Sequence, residues 1–153
     1  MTAFLQNGGD TWCGDIMQGC GQTISTSGCY LTSFTMLQNY LKGTNLNPGQ
    51  VNTRLGSYAC PFNYSGAATE FGLSAYSTPS VADYKAKIIG LIDIYKPVMV
   101  SLNNPSGGLH CVLAKGYAGT TVLINDPDTH KHYTDLSQYI NAGYTVSSLR
   151  YFS

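Results

Sequence analysis

Apolar positions follow one rhythm in the first half of the chain and another in the second. From Cys29 onward, Tyr30, Leu31, Phe34, Leu37, Tyr40 and Leu41 recur at spacings of three and four. This spacing predicts a helix that buries one face, stopped by Gly43 just after Lys42. Asn47-Pro48 reads as an N-cap with proline at the first helical position, opening a short helix that ends near Gly56. Residues 1–27 and 57–78 carry no period and read as irregular. The stretch from Ser80 to Asp83 resembles a capping box, and Val81, Tyr84, Ile88, Leu91 and Tyr95 extend it as an amphipathic helix closed by Pro97. Beyond that point the period changes. Val98–Leu102, Cys111–Ala114, Thr121–Ile124 and Leu149–Phe152 predict strands. Helices first and antiparallel strands second imply an α+β fold, one domain over residues 1–153, with a cleft between two halves packed face to face.

Two features of this pattern carry chemistry. Cys29 opens the predicted helix, where unpaired N–H groups and the positive end of the helix dipole favour a thiolate, the nucleophilic form. A small buried apolar residue is the other reading of such a cysteine, and the helix alone leaves both open. The second feature is the turn over residues 115–120. In a regular hairpin centred near Ala118, His110 and Asp126 are equidistant from the centre and face each other. A carboxylate beside an imidazole fixes its tautomer and stabilises its charged form, so Cys29, His110 and Asp126 make a candidate nucleophile, base and orienting group. A surface pair at strand ends is the alternative, and a one-residue bulge would offer Asn125 in place of Asp126. Cys111 points to the opposite face and reads as core. His130 and His132, beside the turn residues Asp126–Asp128, read as structural, and Trp12 as either groove lining or packing.

Composition narrows the setting. Charged residues make up 10% of the chain, well under the roughly 25% of ordinary soluble domains. Tyrosine and glycine are plentiful instead, a balance that suits an extracellular or wall-facing protein. Eight basic residues balance eight acidic ones, which gives no basic stripe for nucleic acid or anionic lipid. No apolar run is long enough to insert in a membrane. The N-terminus lacks a basic region followed by an apolar stretch, so it does not read as a secretory signal. Synthesis in the cytoplasm, followed by action at the cell wall or outside the cell, is the expectation. Five cysteines leave at least one unpaired, and Cys13 with Cys20 is a possible bridge in an oxidising compartment. Zinc is disfavoured because no C-x-x-C or H-x-x-x-H spacing occurs, and no cofactor is expected.

The stretch Thr23–Met36 (TISTSGCYLTSFTM) resembles the nucleophile region of papain-like cysteine peptidases related to the bacteriocin double-glycine leader peptidases. Asn45–Leu55, Lys96–Ser101, His110–Tyr117 and Ile124–Pro127 are similar to later segments of the same family, in order and spacing. The resemblance spans nearly the whole chain. It implies a papain-like fold, a nucleophile helix packed on an antiparallel sheet, and a catalytic triad at Cys29, His110 and Asp126. Family members tend to carry a glutamine six residues before the nucleophile as oxyanion donor. Position 23 is threonine here, and Gln22 lies one residue further away. The donor is therefore either Gln22 on a shifted loop, or the backbone N–H of Cys29 with another group.

Peptide-bond hydrolysis is the expected activity. A domain with neither a membrane segment nor an ATPase resembles the catalytic part of a phage endolysin, with peptidoglycan stem peptides as substrate. Two rivals are a peptidase that processes another polypeptide and a non-catalytic binding module on the same fold.

Overall fold

The helix that Cys29 opens forms over the residues its period predicts. The computed structural model describes residues 1–153, and α2 runs Cys29–Lys42 with Gly43 as its left-handed C-cap. A one-turn helix, α1 (Ile24–Ser27), leads into it, capped by the Thr23 hydroxyl, which accepts from the Thr26 N–H. Gly28 joins the two turns, and steric room explains the choice of residue. A Cβ there would stand 2.5 Å from the Ile24 carbonyl oxygen and 2.9 Å from the Ile24 Cα, contacts that backbone cannot yield. The helix is buried more completely than a one-sided stripe suggests, since Thr32, Ser33, Thr35 and Gln38 are buried beside Leu31, Phe34 and Leu37. Two of these three buried hydroxyls have partners, and Thr32 Oγ1 has none. Thr35 donates to the Leu31 carbonyl, and Ser33 donates across to the Cys111 carbonyl of the sheet.

The predicted second helix, α3 (Pro48–Leu55), opens on a full capping box between Asn47 and Gln50. The stretch expected as loop holds a 3-10 turn (Gly56–Ala59), a short helix α4 (Tyr64–Glu70) and a strand β1 (Ala75–Ser77). Seven residues are too few to show a helical period, but Asn63 caps α4 by accepting from the Gly66 N–H. Helix α5 (Tyr84–Asp93) starts later than predicted. Asp83 is left-handed at φ 52° and caps nothing, while the Ser80 carbonyl accepts from Lys87 Nζ. The capping box read at Ser80 does not form.

Strands β2 (Val98–Asn103), β3 (Leu109–Ala118), β4 (Thr121–Asn125) and β5 (Thr145–Phe152) pair with β1 in one antiparallel sheet, ordered β1-β5-β2-β3-β4. Helix α6 (Leu136–Asn141) lies between β4 and β5 in sequence, with a capping box at Asp135 and Gln138 that went unread. The central strand β2 is buried along Val98–Leu102 on both faces. Met99, Cys111, Leu113 and Phe152 pack under α2, α3 and α4, while Val98, Val100, Val112, Ile124 and Leu149 pack under α5 and α6. The architecture is α+β, as expected, but helices cover both faces of the sheet rather than one.

The β3–β4 hairpin turns between Ala118 and Thr121, with Gly119 at φ 62°, not about Ala118. Continued without interruption, that register would place Asn125 on the face of His110. A bulge at Lys115 shifts the pairing by one residue, so that Ala114 meets Ile124 and Leu113 meets Asn125. The bulge restores Asp126 to the His110 face as a diagonal neighbour, not a direct opposite.

The possible bridge between Cys13 and Cys20 does not form. Cys20 bonds Cys60, 40 residues away, while Cys13, Cys29 and Cys111 are free. Cys13 is buried in a 3-10 turn (Thr11–Gly14) with its thiol toward the Leu5 carbonyl.

Candidate active site

Cys29 occupies the first position of α2 and is 8% exposed. Its N–H belongs to the first turn, where intrahelical acceptors are missing. Helix α2 packs along β3, and the Ser33–Cys111 hydrogen bond ties the second turn of the helix to the strand. The start of β3, and with it His110, is thereby held at the N-terminal end of α2.

His110 Nε2–H donates to Asp126 Oδ1 at 2.9 Å, which leaves Nδ1 as the ring nitrogen for the thiol. Burial of the ring pulls its pKa down, but hydrogen bonds to Asp126 and Cys29 and the charges of both raise it to about 10. Both partners of the ring, Asp126 and Cys29, thus favour its charged form against the cost of burial.

Asp126 lies just beyond β4, 4% exposed, and is heavily solvated by the protein. Besides His110, its oxygens accept from the backbone N–H groups of Asp128 at 3.1 Å and Tyr133 at 3.3 Å, and from the Tyr139 hydroxyl. Tyr139 comes from α6 and is almost completely buried. Burial and the Asp126 carboxylate push its pKa up, so it remains a donor. Its ring also packs 5.4 Å from that of His110. Sequence reasoning missed this residue, although the capping box that starts α6 was there to be read.

Cys111 is fully buried on the opposite face of β3. Burial first, and the charge of Cys29 second, push its thiol pKa well up, so it stays protonated, consistent with a core residue. His130 is exposed and bonds Asp128 Oδ1 at 2.7 Å; His132 lies in the same turn at φ 50°. Trp12 packs edge-on against Phe4, and its Cβ would touch a Cβ added at Gly49.

The two glutamines near the site are placed differently. Gln22 is exposed, with its carbonyl oxygen engaged by the Ser27 hydroxyl. Gln6 is 4% exposed and sits between the two halves of the site. Its backbone N–H donates to the Pro127 carbonyl, next to Asp126, and its Nε2 donates at 3.2 Å to the Ser25 carbonyl in the turn before Cys29. An amide carries two N–H donors, so one remains free. Asn7 continues the clamp, bonding Asp128 Oδ1 and the Thr129 N–H. No sequence signal marked this segment, because it is aperiodic and its partners are 19 to 122 residues away.

A cysteine at a helix start, facing a histidine and an aspartate carried by an antiparallel sheet, defines the papain-like cysteine peptidase class. The family model for the Peptidase_C39 like family matches residues 9–147, and the chain belongs to that family. The fold is similar to the crystal structure of an inferred C39-like peptidase from Bacillus anthracis. The TM-score is 0.54 at 13% identity, covering 100% of this chain and 98% of the other. No curated protein sequence matches the chain. No helix is long and apolar enough to cross a membrane.

Proposed function

We propose that the chain hydrolyses peptide bonds by acyl transfer, with Cys29 as nucleophile, His110 as acid and base, and Asp126 orienting the imidazole. The observation that carries this reading is the His110 ring, bound through Nε2 to a buried carboxylate and raised to about 10 by that carboxylate and by Cys29. The thiolate attacks the scissile carbonyl, and the C–N bond breaks as His110 gives its proton to the leaving amine. Water then attacks the thioester with His110 as base, releasing the acid and regenerating the thiolate. The oxyanion is held by the Cys29 N–H and, in our reading, by the free N–H of Gln6 rather than by exposed Gln22. Within peptide hydrolysis, we assign the substrate to peptidoglycan peptides. That assignment rests on the scarcity of charge and the abundance of tyrosine and glycine along the chain.

The test compares wild type with Cys29→Ala on purified peptidoglycan from several bacteria and on a peptide library, reading new amino groups and fragment masses. Wall fragments from wild type alone support the full reading. Cleavage of peptides but never of walls replaces the wall assignment with polypeptide processing. Equal activity of the two proteins removes Cys29 from the mechanism.

A further inference from the structure

Two grooves meet beside this site. One, of about 440 Å³, runs along Ser27, Tyr30 and Leu109, the chain neighbours of Cys29 and His110. The other, of about 600 Å³, opens beyond a ridge of Pro61, Phe62 and Tyr64 that walls both. Ser148 of β5 lines the first groove and Arg150 the second. They are two residues apart on one strand, hence on one face and roughly 7 Å apart along it. The track therefore leads from the flank of the nucleophile to a guanidinium.

Arg150 is the one charged residue lining either groove. It makes no ion pair: those of the structure are His110–Asp126 and His130–Asp128. Its guanidinium stacks on Tyr64 at 4.5 Å, and its Nε is buried without an acceptor. The chain's other arginine, Arg54, also stacks on an aromatic ring, but it donates at 2.9 Å to the Glu70 carbonyl. A partly desolvated cation with open donors is costly unless an anion completes it, and a planar fork held on a ring matches a carboxylate in bidentate geometry.

We propose that Arg150 binds a carboxylate of the peptide substrate, while the uncharged groove beside Cys29 seats a neutral apolar side chain next to the scissile bond. This deepens the peptidase reading and rests on it for the identity of the scissile bond, but not for the carboxylate.

The test is affinity selection from a labelled peptide library by Cys29→Ala protein, with and without Arg150→Gln. Every library member has an apolar centre. Members occur in matched sets with glutamate or glutamine, and with a free or amidated C-terminus, which separates side-chain from terminal carboxylate. Carboxylate members of one set or both are expected to be enriched about tenfold over their amide partners. The preference should vanish in Arg150→Gln, return in part in Arg150→Lys, and shrink with added salt. Equal enrichment of acids and amides, no enrichment of any member, or a preference that survives Arg150→Gln overturns the proposal. Melting temperatures of the variants separate loss of the cation from loss of the fold. On cleaved peptides, Arg150→Gln should raise KM and leave kcat in place. Carboxylate preference without cleavage by the enzyme retaining Cys29 refutes the peptidase reading alone, and cleavage without preference refutes the Arg150 assignment alone.

Discussion

Replacing Asp126 by asparagine tests the electrostatic core of the site. The amide keeps the shape of the side chain and one carbonyl oxygen, so the Asp128 N–H keeps an acceptor and the loop after β4 keeps its turn. What leaves is the charge facing His110, together with the acceptor that the Tyr133 N–H and the Tyr139 hydroxyl use at the other oxygen. Burial alone lowers the His110 pKa, and the Asp126 hydrogen bond is the largest effect opposing it, ahead of Cys29. A hydrogen bond to a charged group is worth roughly 1.5–3 kcal/mol and a neutral one about 1, so the change should lower the imidazolium's pKa by roughly half to one and a half pH units. The sign follows from the protonated ring being the working acid. Activity is expected to fall as pH rises through about 10 in the wild type, and the fall should begin correspondingly earlier in Asp126→Asn.

Two assays read this independently. The pH profile of kcat/KM on a cleaved peptide gives the alkaline limb directly, and NMR titration of the His110 ring gives its protonation without substrate. Iodoacetamide labelling of Cys29, located by mass spectrometry, reports whether the thiolate keeps its cation as pH rises. An alkaline limb and ring titration unmoved by Asp126→Asn, in a protein of unchanged melting temperature, would refute the claim that this carboxylate sets the charge of His110.

Gln6→Ala should lower kcat roughly a hundred- to a thousandfold, the usual cost of one oxyanion donor, with Cys29 labelling intact. Gln22→Ala should leave kcat unchanged, and the opposite result would exchange their roles. Tyr139→Phe removes one donor from a buried carboxylate and keeps the ring that packs on His110. A loss of about 1–2 kcal/mol, read as a roughly five- to thirtyfold fall in kcat/KM with little change in KM, is expected. Cys60→Ala opens a disulfide spanning 40 residues. Loop-closure entropy assigns that link about 4 kcal/mol, to be read by denaturant unfolding with and without reductant.

Much of the fold was legible because its signals are local. The α2 boundaries followed from a three-and-four spacing and a glycine stop, and α3 from Asn47-Pro48. The strands of the second half were found by their apolar runs, although β3 and β5 extend past them into exposed positions such as Leu109 and Thr145. The elements missed, α4, β1 and α6, are short. A strand of three residues carries no usable alternation, and α4 and α6 bury only two residues each. Their caps, Asn63 and the Asp135–Gln138 pair, were the surviving signals. Ser80 shows the converse error, a capping pattern overridden by a left-handed Asp83. The disulfide was not legible, since nearness in sequence suggested only Cys13 as a possible partner for Cys20, while the fold brings Cys60 within 5.4 Å of Cys20 at Cα.

The pairing of His110 with Asp126 shows why a site can be legible even when the reasoning behind it is only half right. Equal distance from Ala118 predicted direct opposition, but the turn is offset and the strand bulged. Strand faces alternate with a period of two, so what decides the meeting is parity, not the exact register. The offset turn changes parity once and the bulge at Lys115 changes it back. The side chains then reach across a diagonal, which long polar groups span readily. Gln6 and Tyr139 had no such protection. Their places depend on how an aperiodic N-terminal segment and a six-residue helix settle against loops, and no periodicity of the chain constrains that. Residues on regular elements can be paired by counting, whereas those that orient and supplement them are fixed by tertiary packing, so it is at Gln6 and Tyr139 that mutation has most to teach.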